Sequence, residues 1–166
     1  MTVEELTARA EKTAEKVIEK LKSLSLTLSL AESCTAGLIS GLLANTPGAS
    51  SVLWGSFVCY TQEAKVLMLG LDNDKLSADG LVCRETACSM AKGALQKSGA
   101  SLAVAVTGLA GPGGEPGVPV GTIWTAIAKR SGEIEAREFF FTGSRSLVRI
   151  RAVIAVLELI LENCQK

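Results

Sequence analysis

The hydrophobic and polar positions of this chain switch repeatedly between the period of a helix and the period of a strand. Residues 4–23 carry apolar side chains among glutamates and lysines at the spacing of an amphipathic surface helix, at Leu6, Val17, Ile18 and Leu21. Residues 26–30 alternate leucine with threonine and serine, which predicts a strand. A break at residues 31–35 and a helical stretch at 37–44 follow, so the pattern predicts helix, strand, turn and helix.

The middle of the chain changes twice more between the strand period and the helix period. A turn at residues 45–48 precedes a segment at 51–60 that is β-branched and aromatic enough for a strand, and residues 63–69 return to helical spacing. Residues 84–98 form the next predicted helix. The short apolar run at 101–106 suits a buried strand.

The last third predicts a loop, a hairpin and a helix. Residues 108–119 contain five glycines and three prolines, which continue neither a helix nor a strand. Residues 120–128 and 134–141 pair as a hairpin, and a final helix begins near Ser144. Alternating strands and helices with one hairpin predict an α/β fold, a single layered α/β/α domain with a mixed sheet.

Length and charge narrow the possible functions. A chain of 166 residues that is 48% apolar suits one domain, residues 1–166, around one continuous core. Lysine plus arginine equals aspartate plus glutamate at 17 each, so no global positive field favours nucleic acid. The charged start and the lack of an apolar run of ~18 residues predict a cytoplasmic protein without membrane contact.

The absence of histidine restricts the chemistry most. It excludes Ser-His-Asp and Cys-His arrangements and removes the commonest metal ligand, so acid–base chemistry must use Lys, Tyr, Asp, Glu or Cys. The five cysteines lack C-x-x-C spacing and lie mostly in apolar segments, which indicates reduced packing thiols. We therefore expect no metal and no organic cofactor.

Three predicted strands end in segments with candidate chemistry, and ligands of α/β sheets collect at such carboxyl ends. Ser33 follows the first strand on a turn before a helix, where it either caps that helix or acts as a nucleophile beside N–H groups that hold an oxyanion. Tyr60 ends the next strand, and Lys65 follows about one and a half turns later, as surface charge or as a base. Thr107-Gly108 opens the glycine-rich loop, which is a structural turn or a backbone cradle for a phosphate or a carboxamide.

These segments together resemble a known family. The strings AESCTAGLIS, CYTQEAKVLMLG, VAVTGLAGPGG with PVGTIW, and FTGSRSLVRIRAV are similar to the C-terminal domain of the CinA family, in order, from about residue 4 to residue 162. Ala36 occupies a position where that family usually has a second glycine. The family's known activity is deamidation of nicotinamide nucleotides, and the larger N-terminal domain associated with ADP-ribose hydrolysis has no counterpart in this chain.

The resemblance implies roles for individual residues. Ser33 attacks, Lys65 assisted by Tyr60 handles the proton, and Thr107 and Arg145 contact the substrate. We expect Cys34, Thr35 and Gly108, on the same turns, to join the substrate-binding set. The implied reaction converts nicotinamide mononucleotide and water into nicotinate mononucleotide and ammonia through a serine acyl-enzyme.

Elementary chemistry agrees with this mechanism. A serine without histidine needs another base, and a lysine serves if desolvation or a neighbouring cation favours its neutral amine. A ring nitrogen that carries ribose makes nicotinamide a pyridinium, which activates the carboxamide carbon toward attack. Arg145 and Arg149, one turn apart, either hold a phosphate together or form a solvated or interface pair.

Two alternatives remain open from the sequence. Cys34 is a second candidate nucleophile, because a helix N-terminus lowers a thiol pKa. A non-catalytic nucleotide-binding or partner-interaction module is the other, with Ser33 as a helix cap and the loop as a phosphate grip. For either function we expect a pyridine nucleotide as the small-molecule partner and a homo-oligomer as the assembly.

Overall fold

The computed structural model describes residues 1–164, which form six α-helices and five strands. The helices are α1 (Val3–Ser23), α2 (Leu38–Ala44), α3 (Gln62–Leu69), α4 (Asn73–Asp79), α5 (Arg84–Ser98) and α6 (Arg145–Asn163). The strands are β1 (Leu28–Glu32), β2 (Leu53–Val58), β3 (Leu102–Gly108), β4 (Thr122–Lys129) and β5 (Ile134–Phe140). All five cysteines are free thiols.

The strands form one mixed sheet in the order β2-β1-β3-β4-β5. Strand β1 pairs in parallel with both β2 and β3, whereas β3, β4 and β5 pair antiparallel. The carboxyl ends of β1, β2 and β3 therefore meet at one edge of the sheet. The segments that follow these three ends are the ones in which the sequence placed its candidate chemistry.

The two faces of the sheet differ in side-chain size. One face presents the leucines, valines and isoleucines of β1, β3 and β4 to α1, α2 and α6. The other face presents five alanines to α3, α4 and α5, at Ala31, Ala103, Ala105, Ala126 and Ala128. Helices cover both faces, so the predicted α/β/α arrangement with a mixed sheet is confirmed.

The boundaries differ from the sequence prediction in several elements. Strand β1 runs from Leu28 to Glu32, and β2 occupies only Leu53–Val58 because a 3-10 turn at Ala49–Ser51 precedes it. Strand β3 extends to Gly108, so Thr107 and Gly108, which were predicted to open the loop, still pair with β4. Helix α4 was not predicted, since its seven residues bury only Leu76 and show no apolar period. Its N-terminus is fixed locally, because the Asp72 carboxylate accepts from two backbone N–H groups.

Among residues 1–164, no helix is long and apolar enough to span a bilayer.

The turn after β1 is organised by the carboxylate of Glu32, which is fully buried. Oε2 accepts from Thr35 Oγ1 at 2.8 Å, Gly37 N at 2.9 Å and Ile39 N at 3.1 Å. Oε1 accepts from Ser40 N and Ser56 Oγ, both at 3.0 Å. Five donors thus compensate the desolvation of one charge, and they join β1, α2 and β2 through a single side chain.

This carboxylate corrects two expectations about Ser33. The N-cap of α2 is Gly37, in the left-handed region at φ 91°, so Ser33 is not the helix cap. The N–H groups at the start of α2 are also not available to an oxyanion, because three of them donate to Glu32. The sequence missed both points because a glutamate at a strand end has no periodic signal.

Helix α3 is held against α5 by a close approach at Gly93. A Cβ added to Gly93 would lie 2.5 Å from the carbonyl oxygen of Leu69, the last residue of α3. Only glycine admits this backbone contact without a shift of one helix. The position of α3, and of every side chain it carries, therefore depends on this contact.

We expect Gly93→Ala to lower the free energy of unfolding by about 1–3 kcal/mol, because the methyl group forces α3 away from α5. Gly41 is the matched control, since it lies in α2 with no atom within 4 Å of its added Cβ. Gly41→Ala should raise the free energy of unfolding by about 0.5–1 kcal/mol through helix propensity. Urea denaturation gives the free energy of unfolding of both variants. Equal changes at the two sites would refute the close-contact argument.

We expect Glu32→Gln to lower the free energy of unfolding by about 2–4 kcal/mol, because whichever oxygen becomes an NH₂ group then faces at least two donors. Glu19→Gln on α1 removes the same charge from an exposed side chain and should change stability by less than about 0.5 kcal/mol. Thermal and urea unfolding of both proteins provide the comparison. A Glu32→Gln protein as stable as the wild type would contradict the role of this carboxylate.

Candidate active site

A cavity of about 180 Å³ lies where the three strand ends meet. Its walls come from the turn after β1, the start of the segment after β2, the loop between α4 and α5, and the glycine-rich loop after β3. The lining residues include Ser33, Cys34, Tyr60, Lys65, Thr107, Gly108 and Arg145. The structure therefore brings seven of the eight predicted site residues to one cavity.

Ser33 and Lys65 are in direct contact in this cavity. Lys65 Nζ lies 2.9 Å from Ser33 Oγ and donates to the Cys59 carbonyl oxygen at 2.9 Å. Only 1% of the Lys65 side chain is exposed, and no carboxylate among residues 1–164 forms an ion pair with it. Burial without an ion-pair partner lowers the pKa of Lys65, because desolvation penalises the ammonium form. A neutral amine in this position has a lone pair for the serine proton.

The local sequence explains how a lysine comes to be buried here. Thr61 caps α3 through the Ala64 N–H at 3.1 Å, so the helix starts directly after the carboxyl end of β2. The first turn of α3 then places Lys65 beside the turn after β1. The carbonyl of Cys59 satisfies one amine hydrogen, and Ser33 is the second polar partner.

Tyr60 and Arg145 form a pair at the rim of the cavity. The phenol of Tyr60, 52% exposed, accepts from Arg145 Nη2 at 2.7 Å, and Arg145 Nη1 donates to the Gly111 carbonyl at 2.7 Å. The hydrogen bonds of the described residues do not join Tyr60 to Lys65. Tyr60 therefore lines the site but contacts the arginine rather than the lysine that it was expected to assist.

Thr107 and Gly108 line the cavity in different ways. The Thr107 hydroxyl donates to the Leu81 carbonyl oxygen at 2.8 Å, which ties β3 to the loop between α4 and α5. A Cβ at Gly108 would lie 2.6 Å from the Thr122 carbonyl oxygen, so only glycine fits between β3 and β4 there. Thr107 therefore presents a hydroxyl whose proton is already engaged, and Gly108 presents backbone.

Cys34 and Thr35 follow Ser33 on the same turn, and their side chains are both buried. Cys34 lines the cavity, but burial raises the pKa of its thiol to about 12, which disfavours the thiolate that a cysteine nucleophile requires. Thr35 is fully buried, does not line the cavity, and uses its hydroxyl on Glu32. Thr35 thus supports the turn and has no side-chain surface for a ligand.

Arg149 fixes the backbone beside Ser33. Its guanidinium donates to the carbonyl oxygens of Cys34 at 3.0 Å and Thr35 at 2.7 Å, so it does not pair with Arg145 to hold a phosphate. The next residue, Ala36, has φ 51°, in the left-handed region that costs a non-glycine residue roughly 1–2 kcal/mol. This explains why glycine is common at this position in the family that the sequence resembles.

Three residues that bear on the cavity were not predicted, at Glu32, Leu81 and Glu115. Glu32 holds the serine turn in place, Leu81 lines the cavity, and Glu115 adds a carboxylate from the glycine-rich loop, whereas Arg149 was a candidate from the sequence with a different role. The sequence did contain a signal for the two glutamates. Glu32 is a charged residue at the end of an apolar strand, and Glu115 is a charged residue inside a glycine-rich loop. Among residues 1–164, no cluster of three or more Cys, Asp or Glu side chains is arranged to hold a metal ion.

Comparison with known proteins gives a consistent result. The family described as CinA C-terminal domain matches residues 10–164. A CinA-like protein of Geobacter metallireducens is 44% identical over 123 residues, covering 74% of this chain and 29% of that protein. A CinA-like protein of Mycolicibacterium gilvum is 42% identical and covers 76% of this chain and 30% of its own length. The chain thus spans about 30% of the length of the curated relatives it matches.

Solved structures agree with the sequence relatives. A competence/damage-inducible protein of Agrobacterium tumefaciens superposes with a TM-score of 0.90 at 41% identity, covering 95% of this chain and 96% of that one. A CinA superfamily protein of Klebsiella pneumoniae gives a TM-score of 0.91 at 30% identity, with 94% and 98% coverage. With a matching family over nearly the whole chain and the same fold at high identity, this chain belongs to the CinA family, in the region that corresponds to its C-terminal domain.

Proposed function

We propose that this protein is an amidohydrolase that converts nicotinamide mononucleotide and water into nicotinate mononucleotide and ammonia. The observation that carries the proposal is the 2.9 Å contact between Ser33 Oγ and the buried amine of Lys65. A nucleophile and a base within hydrogen-bond distance, in a cavity, form the arrangement that Ser-Lys hydrolases use. No metal and no organic cofactor enters the reaction.

The first half of the reaction forms an acyl-enzyme. Ser33 Oγ attacks the carboxamide carbon while its proton passes to Lys65 Nζ. The tetrahedral intermediate then collapses, the carbon–nitrogen bond breaks, and Lys65 returns the proton to the departing ammonia. Lys65 is neutral again at the end of this half, and Ser33 carries a nicotinoyl ester.

The second half releases the product. Water attacks the ester carbonyl as Lys65 takes its proton, the bond to Ser33 Oγ breaks, and the serine regains a proton from Lys65. The developing oxyanions need donors other than the start of α2, which Glu32 occupies. We assign them to backbone N–H groups of the glycine-rich loop, which lines the cavity at Gly111 and Gly113.

The size and charge of the cavity favour a nucleotide that enters ring first. At about 180 Å³ it is smaller than the roughly 300–1,000 Å³ typical of sites that enclose a whole ligand, so it suits the nicotinamide ring with ribose and phosphate outside. Arg145 lies at the rim, where a guanidinium holds a phosphate by charge-assisted hydrogen bonds. Such a bond would replace the one that Arg145 now makes to Tyr60.

The proposal also covers the partner, the compartment and the assembly of the protein. A soluble pyridine nucleotide is the small-molecule partner, the cytoplasm is the compartment, and residues 1–166 act as one domain within a homo-oligomer. Neither a membrane nor a nucleic acid takes part. The non-catalytic nucleotide-binding module remains the alternative that the next experiment decides.

We expect Ser33→Ala and Lys65→Met each to reduce ammonia release from nicotinamide mononucleotide by more than about a thousandfold, and the double variant to be little worse, because nucleophile and base act as a unit. Lys65→Arg should fail as well, since a guanidinium stays protonated. Lys65→Met keeps the volume of the buried side chain and should remain folded. A coupled ammonia assay with circular dichroism on each variant measures both properties.

Cys34→Ala is the matched control, because it removes the neighbouring thiol and leaves the serine and the lysine in place. It should retain most of the activity. A folded Ser33→Ala protein that releases ammonia at the wild-type rate would refute the mechanism. Tight binding of the nucleotide by a wild-type protein that releases no ammonia would instead establish the non-catalytic module.

We expect kcat/KM for ammonia release to fall as the pH falls through the pKa of Lys65, because protonation removes the lone pair that accepts the serine proton. Burial lowers this pKa, so activity should persist well below the ordinary lysine range near about 10.4. A pH–rate profile of the wild-type protein measures this acidic limb. Activity that appears only above about pH 10 would contradict a desolvated lysine base.

A further inference from the structure

The glycine-rich loop places one carboxylate at the cavity. Among the residues that line it, the charged side chains are Lys65, Arg145 and Glu115. Glu115 is anchored through its backbone, since the Val118 N–H donates to the Glu115 carbonyl oxygen at 3.0 Å. Within residues 1–164, its carboxylate has neither a hydrogen bond nor an ion pair, and Arg145 donates to Tyr60 and Gly111 instead. The site therefore holds a negative group without a partner.

This carboxylate acts on the catalytic lysine. Its negative charge raises the pKa of Lys65, in opposition to burial, which lowers that pKa. The proposed reaction needs the neutral amine, so a carboxylate here works against the base while the cavity is empty. A substrate that carries a positive charge next to Glu115 removes this conflict.

The proposed substrate has such a charge, and the cavity holds a counterpart for each of its groups. Its carboxamide goes to Ser33 and Lys65, its pyridinium ring is a delocalised cation, and its phosphate is an anion. The site presents the serine at its base, Glu115 on one loop and the Arg145 guanidinium at its rim. Each charge of the ligand therefore has a group of opposite charge among the residues that line the cavity, which is the kind of complementarity that confers specificity.

We propose that Glu115 is a specificity-determining residue, whose carboxylate recognises the positive charge of an N-substituted pyridinium ring and makes the site selective for cationic carboxamides. This inference rests on the proposed function and names the ring charge as what distinguishes the substrate. A second effect follows from the same contact. A bound pyridinium offsets the field of Glu115 at Lys65, so a cationic substrate also favours the neutral form of the base, which a neutral carboxamide does not.

The test compares two ligands that differ in ring charge. Nicotinamide mononucleotide has a cationic ring, and its 1,4-dihydro form has a neutral ring with the same carboxamide, ribose and phosphate. Affinities of both are measured by calorimetry in the Ser33→Ala background, which prevents turnover, with and without Glu115→Gln. Glu19→Gln, an exposed position on α1, is the control for the loss of one negative charge.

We expect Glu115→Gln to weaken the cationic nucleotide about tenfold, which corresponds to ~1.4 kcal/mol, and to leave the dihydro form unchanged within about twofold. Glu19→Gln should affect neither ligand. The preference for the cationic ring should also shrink as salt is raised, because Glu115 is exposed to solvent.

Three results would overturn the inference, and they are distinguishable. Equal weakening of both ligands would make Glu115 a structural residue of the loop, and no weakening of either would exclude it from recognition. In both cases the proposed function survives. If neither nucleotide binds the Ser33→Ala protein and the wild type releases no ammonia, the proposed function fails and the inference fails with it.

Discussion

The buried carboxylate of Glu32 is the interaction on which the site depends. A charge with no solvent exposure is stable in a protein only when hydrogen bonds replace its water, and here five donors from the turn after β1, from α2 and from β2 do so. Those donors include most of the first turn of α2 and a hydroxyl of the adjacent strand. This network holds the turn on which Ser33, the next residue along the chain, lies, and the Ser33 N–H adds a hydrogen bond to the Val106 carbonyl oxygen at 3.0 Å.

A second constraint is the burial of Lys65, which determines the protonation state of the amine beside Ser33. Lys65 has no ion pair with any of residues 1–164, so its amine is least costly to bury when it is neutral, and the neutral amine is the form that can accept a proton. Arg149 completes the arrangement from α6 by holding the two carbonyls that follow the serine. Glu32, Lys65 and Arg149, from three distant parts of the chain, thus hold the serine hydroxyl and the turn that carries it.

The sequence predicted the layers of the fold because long apolar segments such as β3 and α6 have clear periods. It missed α4, whose single buried leucine leaves no pattern to detect. The turn that carries Ser33 was predicted because it follows a strand, whereas Thr107, predicted on a turn, lies within β3, and Tyr60, predicted at a strand end, follows β2. The contacts between site residues were not predicted, because the partners are far apart in the sequence. Tyr60 and Arg145 are 85 positions apart, and Arg149 and Cys34 are 115 positions apart. Such pairings depend on the way the layers stack, which no local period encodes.

The alanine-rich face of the sheet has a practical meaning for anyone who redesigns this protein. Methyl groups on β1, β3 and β4 let α5 approach the sheet closely, and α3 in turn rests on α5 at Gly93. Larger side chains on that face would displace the helix that carries Lys65, even though they would bury more apolar surface. The opposite face, built from leucine, isoleucine and valine, packs against α1, which carries no side chain of the cavity, and against α6, whose first two turns carry Arg145 and Arg149. Engineering for heat resistance therefore belongs on α1 and on the later turns of α6, across the sheet from the helix that carries Lys65.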